Sequence, residues 1–197
     1  MTNQSKSSTK LKNVAVFASG NGSNFESIAR ADLPINLSLV VCDKPHAKVI
    51  ERAHNHGIET FVLELKNCAD KTDYETQILE QLHQHDIDFI ILAGYMKIIH
   101  ATLLNAFPQK IINIHPAYLP NFPGKDGIGD AYKAGVSETG VTVHYVDEGV
   151  DTGHIIRQQK VPRYKSDSLE DLETRIHSVE HVLYPDTIRN LIEKGEL

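Results

Sequence analysis

The chain has 197 residues, 41% of them hydrophobic and 23% charged, a balance that fits one globular domain with a sizeable core and excludes wholesale disorder. A formal net charge of -6 with no Lys/Arg run longer than two residues argues against nucleic acid as a partner, and no apolar stretch approaches the roughly 18 residues of a membrane span. Cys42 and Cys68 have neither the number nor the spacing of a disulfide framework or a zinc knuckle, so we expect free thiols, no metal, and a cytoplasmic protein in which a single domain spans 1–197 with a disordered tail at 1–11.

Short apolar runs at 13–18, 37–42, 60–65 and 87–93 read as buried strands, and the amphipathic stretches at 23–30, 47–56 and 72–85 read as helices between them. This alternation predicts an α/β fold with a mostly parallel sheet flanked by helices. A fifth run at 110–114 continues the series, after which Pro116, Pro120, Pro123 and Gly124 require a rigid irregular loop. A short helical piece at 128–134 follows. The alternating segments at 140–146 and 154–161, joined by Asp147-Glu148-Gly149, suggest an antiparallel C-terminal addition to the sheet. Ser168 with Asp171 three residues on is a variant capping box, which opens a last helix expected to run to about Tyr184, where Pro185 disturbs it. No internal repeat or domain boundary is visible.

The turn Ser19-Gly20-Asn21-Gly22-Ser23-Asn24 follows the first strand and opens the first helix. It gathers unpaired N–H groups and the positive end of a helix dipole, a setting for an anion. Asp43 lies near the distance expected for a ribose-binding acid of a dinucleotide site, but Phe25 stands where the third glycine of that fingerprint allows close helix packing. A single phosphate suits the turn better. The alternative is a tight turn with Ser23 or Asn24 as helix cap.

Asn113 and His115 occupy the end of a buried strand, and the period of two puts both side chains on one side. An amide and an imidazole placed together can hold a carbonyl oxygen as it gains negative charge in a tetrahedral intermediate. No serine or cysteine stands in a nucleophile elbow, so attack by a bound substrate is favoured over an acyl-enzyme. Asp151, in the loop Gly149-Val150-Asp151-Thr152-Gly153, can reach His115 and favour its imidazolium form. A strand-end histidine and a turn aspartate without chemistry remain the other reading. His54, His56, His83 and His85 read as surface residues, because pairs two apart on a helix point to different faces.

With Leu92-Ala93-Gly94-Tyr95-Met96, Asn113-Ile114-His115-Pro116, Leu119-Pro120 and Asp151-Thr152-Gly153 following the glycine-rich turn in this order, the chain resembles the folate-dependent phosphoribosylglycinamide formyltransferases over about residues 13–192. The resemblance implies a Rossmann-like formyltransferase fold and small-molecule substrates: 10-formyltetrahydrofolate as co-substrate and the amine of glycinamide ribonucleotide as acceptor in purine biosynthesis. It implies that Gly22, Ser23 and Asn24 hold the ribonucleotide phosphate and that Glu180 binds its ribose or glycinamide end. Lys71, Met96, Lys97, Ile98 and Ile99, with Asn113, would bind the folate, and the loop 145–151 would close the pocket. Asn113 and His115 would stabilise the oxyanion, His115 would also donate a proton, and Asp151 would favour its charged form. Leu119–Pro120 is expected to be cis by the same resemblance. Where some relatives carry histidines after the Pro-Gly of the loop, this chain has Lys125-Asp126-Gly127-Ile128-Gly129, so no role of those histidines transfers. Lys71 stands where relatives often carry arginine, which keeps the charge and loses the planar fork. A formyltetrahydrofolate deformylase, in which water replaces the amine, and a non-catalytic nucleotide- or folate-binding module on the same fold are the competing readings.

Overall fold

The structure, a computed structural model, describes residues 11–197. The tail expected at 1–11 lies outside them apart from Leu11. In chain order come β1 (Lys12–Ala18), α1 (Ser23–Arg30), β2 (Ile35–Cys42), α2 (Lys48–Asn55), β3 (Glu59–Val62), α3 (Lys71–Gln84), β4 (Phe89–Leu92), α4 (Ala101–Ala106), β5 (Ile111–His115), α5 (Gly127–Lys133), β6 (Glu138–Tyr145), β7 (Ile155–Pro162) and α6 (Leu169–Glu193). They form a seven-stranded sheet of order β3-β2-β1-β4-β5-β6-β7. Pairings from β3 to β5 are parallel, and those of β5 with β6 and β6 with β7 are antiparallel. The expected mostly parallel sheet with an antiparallel addition is therefore borne out.

The strand period of two explains the layers. Val14, Val16 and Ala18 of β1 face α1, α2 and α6 in one core, while Ala15 and Phe17 face α3 and α4 in the other. Strands covered on both sides read as unbroken apolar runs, which is why β1, β2 and β4 stood out in the sequence. β1 lies between β2 and β4, so the winding reverses there and the carboxyl ends of β1, β4 and β5 border a crevice, the usual place for a ligand in such a sheet.

The structure departs from the sequence reading in five places. The run at 60–65 is strand only as far as Val62, because Leu65 begins a turn of 3₁₀ helix at Leu65–Asn67. α4, six residues long, was not expected, and its first turn is held by a residue far away in sequence: buried Glu75 accepts from His100 N at 2.7 Å and from Leu103 N at 3.4 Å. Asp147-Glu148-Gly149 is not a tight hairpin turn but part of a loop over 146–154, closed where Tyr145 N donates to His154 O at 3.0 Å. Pro185 does not end the last helix, which continues to Glu193. An interior proline costs about 3 kcal/mol. Burial of Leu183, Tyr184, Ile188 and Leu191 on both sides of it offsets that, at about 1.5–3 kcal/mol for each large apolar side chain, and Tyr184 Oη donates to Leu92 O at 2.9 Å, with Ile112 O 3.2 Å away. The capping box of Ser168 and Asp171 forms as expected, and Leu119–Pro120 is cis. His85 is half-buried rather than at the surface, its Nδ1 being 2.8 Å from Gln81 O. Among the described residues no helix is long and apolar enough to cross a membrane.

Candidate active site

Three groups of residues lie at the carboxyl ends of β1, β5 and β4 or on the helices that follow. The first is the turn between β1 and α1. Gly22 is the residue before α1, at φ 75, and no side chain caps the helix, so the reading of Ser23 or Asn24 as cap is not what forms. Ser23 and Asn24 are instead the first two helical residues, and the first helical N–H to find its partner is Glu26 N, on Gly22 O at 2.9 Å. The amides of the preceding residues have no helical acceptor. Only glycine fits at 22, because a Cβ there would lie 2.7 Å from Val49 Cβ on α2. Phe25 is fully buried and meets His56 edge-on, so the aromatic ring that argued against a dinucleotide is part of the core between α1 and α2. Asn24 is 9% exposed, and its Oδ1 has no hydrogen-bond partner.

The second group surrounds the end of β5. His115 is 4% exposed. Its Nδ1 lies 3.4 Å from Asp151 Oδ2, and its Nε2 lies 2.8 Å from Phe122 O. Both ring nitrogens face oxygen acceptors, an arrangement that a doubly protonated ring satisfies on both sides. Asp151 also accepts from Gly124 N at 2.7 Å and faces His144 Nε2 at 3.5 Å through its other oxygen. Burial opposes ionisation of Asp151, but the hydrogen bonds from His144 and Gly124 and the charge of His115 outweigh it and hold the carboxyl below its usual range. Phe122 and Asp151, the two residues that flank His115, both adopt left-handed backbone at φ 56 and 55. Such conformations cost about 1–3 kcal/mol in non-glycine residues and persist where the surroundings dictate them.

His144 was not singled out from the sequence. It lies opposite Asn113 in the β5–β6 pairing, and its Nε2 is 3.2 Å from Asn113 Nδ2. Its Nδ1 faces Tyr145 O at 2.8 Å, and its Nε2 stands between the Asn113 amide and Asp151 Oδ1. The alternation of β6 carried half of this signal, since Thr142 and His144 share a face. The register against β5 carried the other half, and the sequence does not state it. Gly127 was missed as well: a Cβ there would lie 3.0 Å from His115 Nε2, so the departure at 125–129 puts a glycine against the imidazole.

The third group is the segment after β4. Ser19 N donates to Gly94 O at 3.0 Å and Ser19 Oγ accepts from Met96 N at 2.8 Å, while Glu75 fixes the far end at His100. Met96 and Ile98 are about half exposed, at 52% and 50%, whereas Ile99 is buried in the core beside Leu103. Lys97 Nζ lies 3.7 Å from Asp43 Oδ2. Lys71 begins α3, where burial pulls its pKa below the ordinary value against the opposing field of Glu75, with Lys97 adding to the lowering. Glu180 on α6 is 3% exposed and takes a hydrogen bond from His177 Nδ1 at 2.7 Å. That bond raises the pKa of His177.

A sequence profile of the formyl transferase family matches residues 12–188. The chain belongs to the formyl transferase family. Within it, the chain is 51% identical over 186 residues to a phosphoribosylglycinamide formyltransferase of Bacillus subtilis, a match covering 92% of this chain and 95% of that protein. The crystal structure of glycinamide ribonucleotide transformylase 1 from Geobacillus kaustophilus superposes with a TM-score of 0.90 at 55% identity, covering 92% of this chain and 99% of that one. The phosphoribosylglycinamide formyltransferase of Bacillus halodurans gives a TM-score of 0.91 at 47% identity, with 93% and 97% covered. The formyl transferase fold is thus shared along nearly the whole chain.

Proposed function

We propose that this formyl transferase moves the formyl group of 10-formyltetrahydrofolate to the amine of glycinamide ribonucleotide, giving formylglycinamide ribonucleotide and tetrahydrofolate in purine biosynthesis. The observation that carries the proposal is the linked set Asn113, His144, Asp151 and His115 at the end of β5. In the sheet β5 is separated by β4 alone from β1, whose carboxyl end leads into the glycine-rich turn, a turn of the kind that binds a phosphate. The full-length similarity to phosphoribosylglycinamide formyltransferases supports it.

In this reading Gly22, Ser23 and Asn24 hold the phosphate and Glu180 the ribose or glycinamide end. Met96, Ile98 and the backbone of Lys97 and Ile99 line the pterin side, and Lys71 supplies a cation for the folate tail. The amine attacks the formyl carbon, the new C–N bond forms and the carbonyl oxygen takes the charge. Asn113 Nδ2 and His115 donate to that oxygen, each such donor being worth about 10²–10³ in kcat. Collapse breaks the bond to N10, which takes a proton as the former amine loses one. His115 gives its proton to N10 and, left neutral, takes up the one the former amine releases, with Asp151 balancing its charge. Because Nε2 of His115 is bonded to Phe122 O, donation to substrate exchanges that carbonyl for the oxyanion or N10. The free thiols Cys42 and Cys68 suit a reducing cytoplasm.

The test is an assay of purified protein with 10-formyltetrahydrofolate, with and without glycinamide ribonucleotide. Tetrahydrofolate should appear only when the ribonucleotide is present. Equal release in both mixtures would indicate a deformylase, and none in either a binding module.

A further inference from the structure

The glycine-rich turn owes its shape to α2 as much as to α1. Val49 N, in the first turn of α2, donates to Gly20 O at 3.1 Å. One turn further on, Arg52 forks onto the next residue of the loop: Nε donates to Asn21 O at 2.8 Å and Nη2 to Asn21 Oδ1 at 2.9 Å. Its remaining nitrogen, Nη1, lies 3.2 Å from Glu26 Oε2 on α1. Glu26 is held in turn by Arg30 at 2.6 Å and by His56 at 3.3 Å. One guanidinium therefore ties α2, the loop and α1 together.

The consequence follows from peptide geometry. In a trans peptide the C=O and the following N–H point in opposite directions. Fixing Gly20 O and Asn21 O on α2 thus aims the N–H groups of Asn21 and Gly22 away from α2, toward the open side of the turn. With these two carbonyls held back, their lone pairs are kept from an anion at that side. At Gly22 the turn passes so near Val49 of α2 that not even a Cβ would fit between them. The side chain of Asn24, more than nine-tenths buried with Oδ1 unpartnered, marks the same turn as awaiting a polar ligand.

We propose that Arg52 is a positioning residue for the acceptor's phosphate: it does not touch the phosphate but orients the peptide groups of residues 20–22 that receive it. This role rests on the functional reading above. A lysine cannot replace it, because one ammonium does not span both oxygens of Asn21 and the carboxylate of Glu26 in a planar fork.

The experiment compares glycinamide ribonucleotide with its dephosphorylated riboside as acceptors for the parent, Arg52→Ala and Arg52→Lys, with far-UV circular dichroism and melting temperature as the check on folding. The parent should prefer the phosphorylated acceptor. Both variants should raise KM for that acceptor about tenfold, the scale of one or two charge-assisted hydrogen bonds. Their KM for the formyl folate and their activity with the riboside should change less than about twofold, so that the preference for phosphate collapses. Equal losses on both acceptors would mark Arg52 as merely structural and overturn the role. So would full recovery by lysine, which also keeps the charge opposite Glu26 if the alanine variant fails to fold. A parent that transfers formyl groups without preferring phosphate overturns the phosphate assignment and this role with it. A parent with no transfer at all is a failure of the functional reading; titration with inorganic phosphate, read calorimetrically, then decides the role of Arg52. Weaker phosphate binding by Arg52→Ala than by the parent supports the role, and equal binding overturns it.

Discussion

In the proposed mechanism Asp151 is the residue on which the chemistry turns, because both its oxygens are committed: one to Gly124 N and the His115 side, the other to His144. Its depressed pKa keeps it anionic across the neutral range. Asp151→Asn removes the charge opposite His115 while keeping the shape. We expect kcat to fall by about 10²-fold, within the range for disrupted acid–base catalysis, with KM for the ribonucleotide little changed. Turnover equal to the parent's would remove Asp151 from the mechanism. His144 stands between Asn113 and Asp151, so its replacement by alanine should lower kcat more than it raises either KM. Of this set Asn113, His115 and Asp151 were legible in the sequence, since a polar pair at the end of an apolar run and a carboxylate in a glycine-flanked loop are local patterns. His144, Gly127 and Arg52 were not, because each acquires its meaning from a partner on another element: Asn113 on β5, His115 against the first turn of α5, and Asn21 across from α2.

At the level of elements the same division holds. Strands buried on both faces and helices with an apolar stripe announce themselves by period, and α1 spans the stretch its pattern predicts. What the sequence hid depends on distant contacts. α4 is too short to show a period, and its amino end is satisfied by Glu75 from α3. α6 runs through Pro185 because the core on either side of it outweighs the lost hydrogen bond. Glu75 also fixes the exit of the segment 96–99 whose entrance Ser19 fixes. Glu75→Gln removes a buried charge from a helix amino terminus and weakens two backbone bonds, which should cost about 1–3 kcal/mol in denaturant unfolding. If the segment lines the folate pocket, the same variant should raise KM for 10-formyltetrahydrofolate and leave KM for the ribonucleotide near the parent value. A rise in the ribonucleotide KM alone would contradict that assignment.

For the molecule as a whole, the charged network of Glu26, Arg30, Arg52 and His56 beneath the glycine-rich turn has a counterpart in Asp167 and Arg175, and together they are expected to set the response to acid. Burial works against ionisation of Glu26, yet its hydrogen bonds with Arg30, His56 and Arg52 hold its pKa at about 2, down from 4.5. Asp167, hydrogen-bonded to Arg175 between the end of β7 and α6, is likewise held at about 2, down from 3.8. Both carboxyls bind protons more readily in the unfolded chain than in the folded one. Their contribution is therefore fully present above the unfolded values and is lost as pH falls from about 4.5 toward about 2. His177 has the opposite sign. Its pKa is raised by Glu180, so its contribution is complete below the unfolded value and fades as pH rises through the folded one. The carboxyl pairs tie α1 to α2 and the β7 loop to α6, so their loss loosens both ends of the helical layer over one face of the sheet. Urea midpoints measured from pH 6 to pH 2.5 should drop for the parent, and they should drop less steeply for the double variant Glu26→Gln/Asp167→Asn, which is weaker at pH 6 but has less left to lose. Parallel curves for the two proteins would show that these carboxyls do not govern acid unfolding, and the acid response would then rest with Asp151, Asp73 and Asp171, whose carboxyls are also held below the usual range.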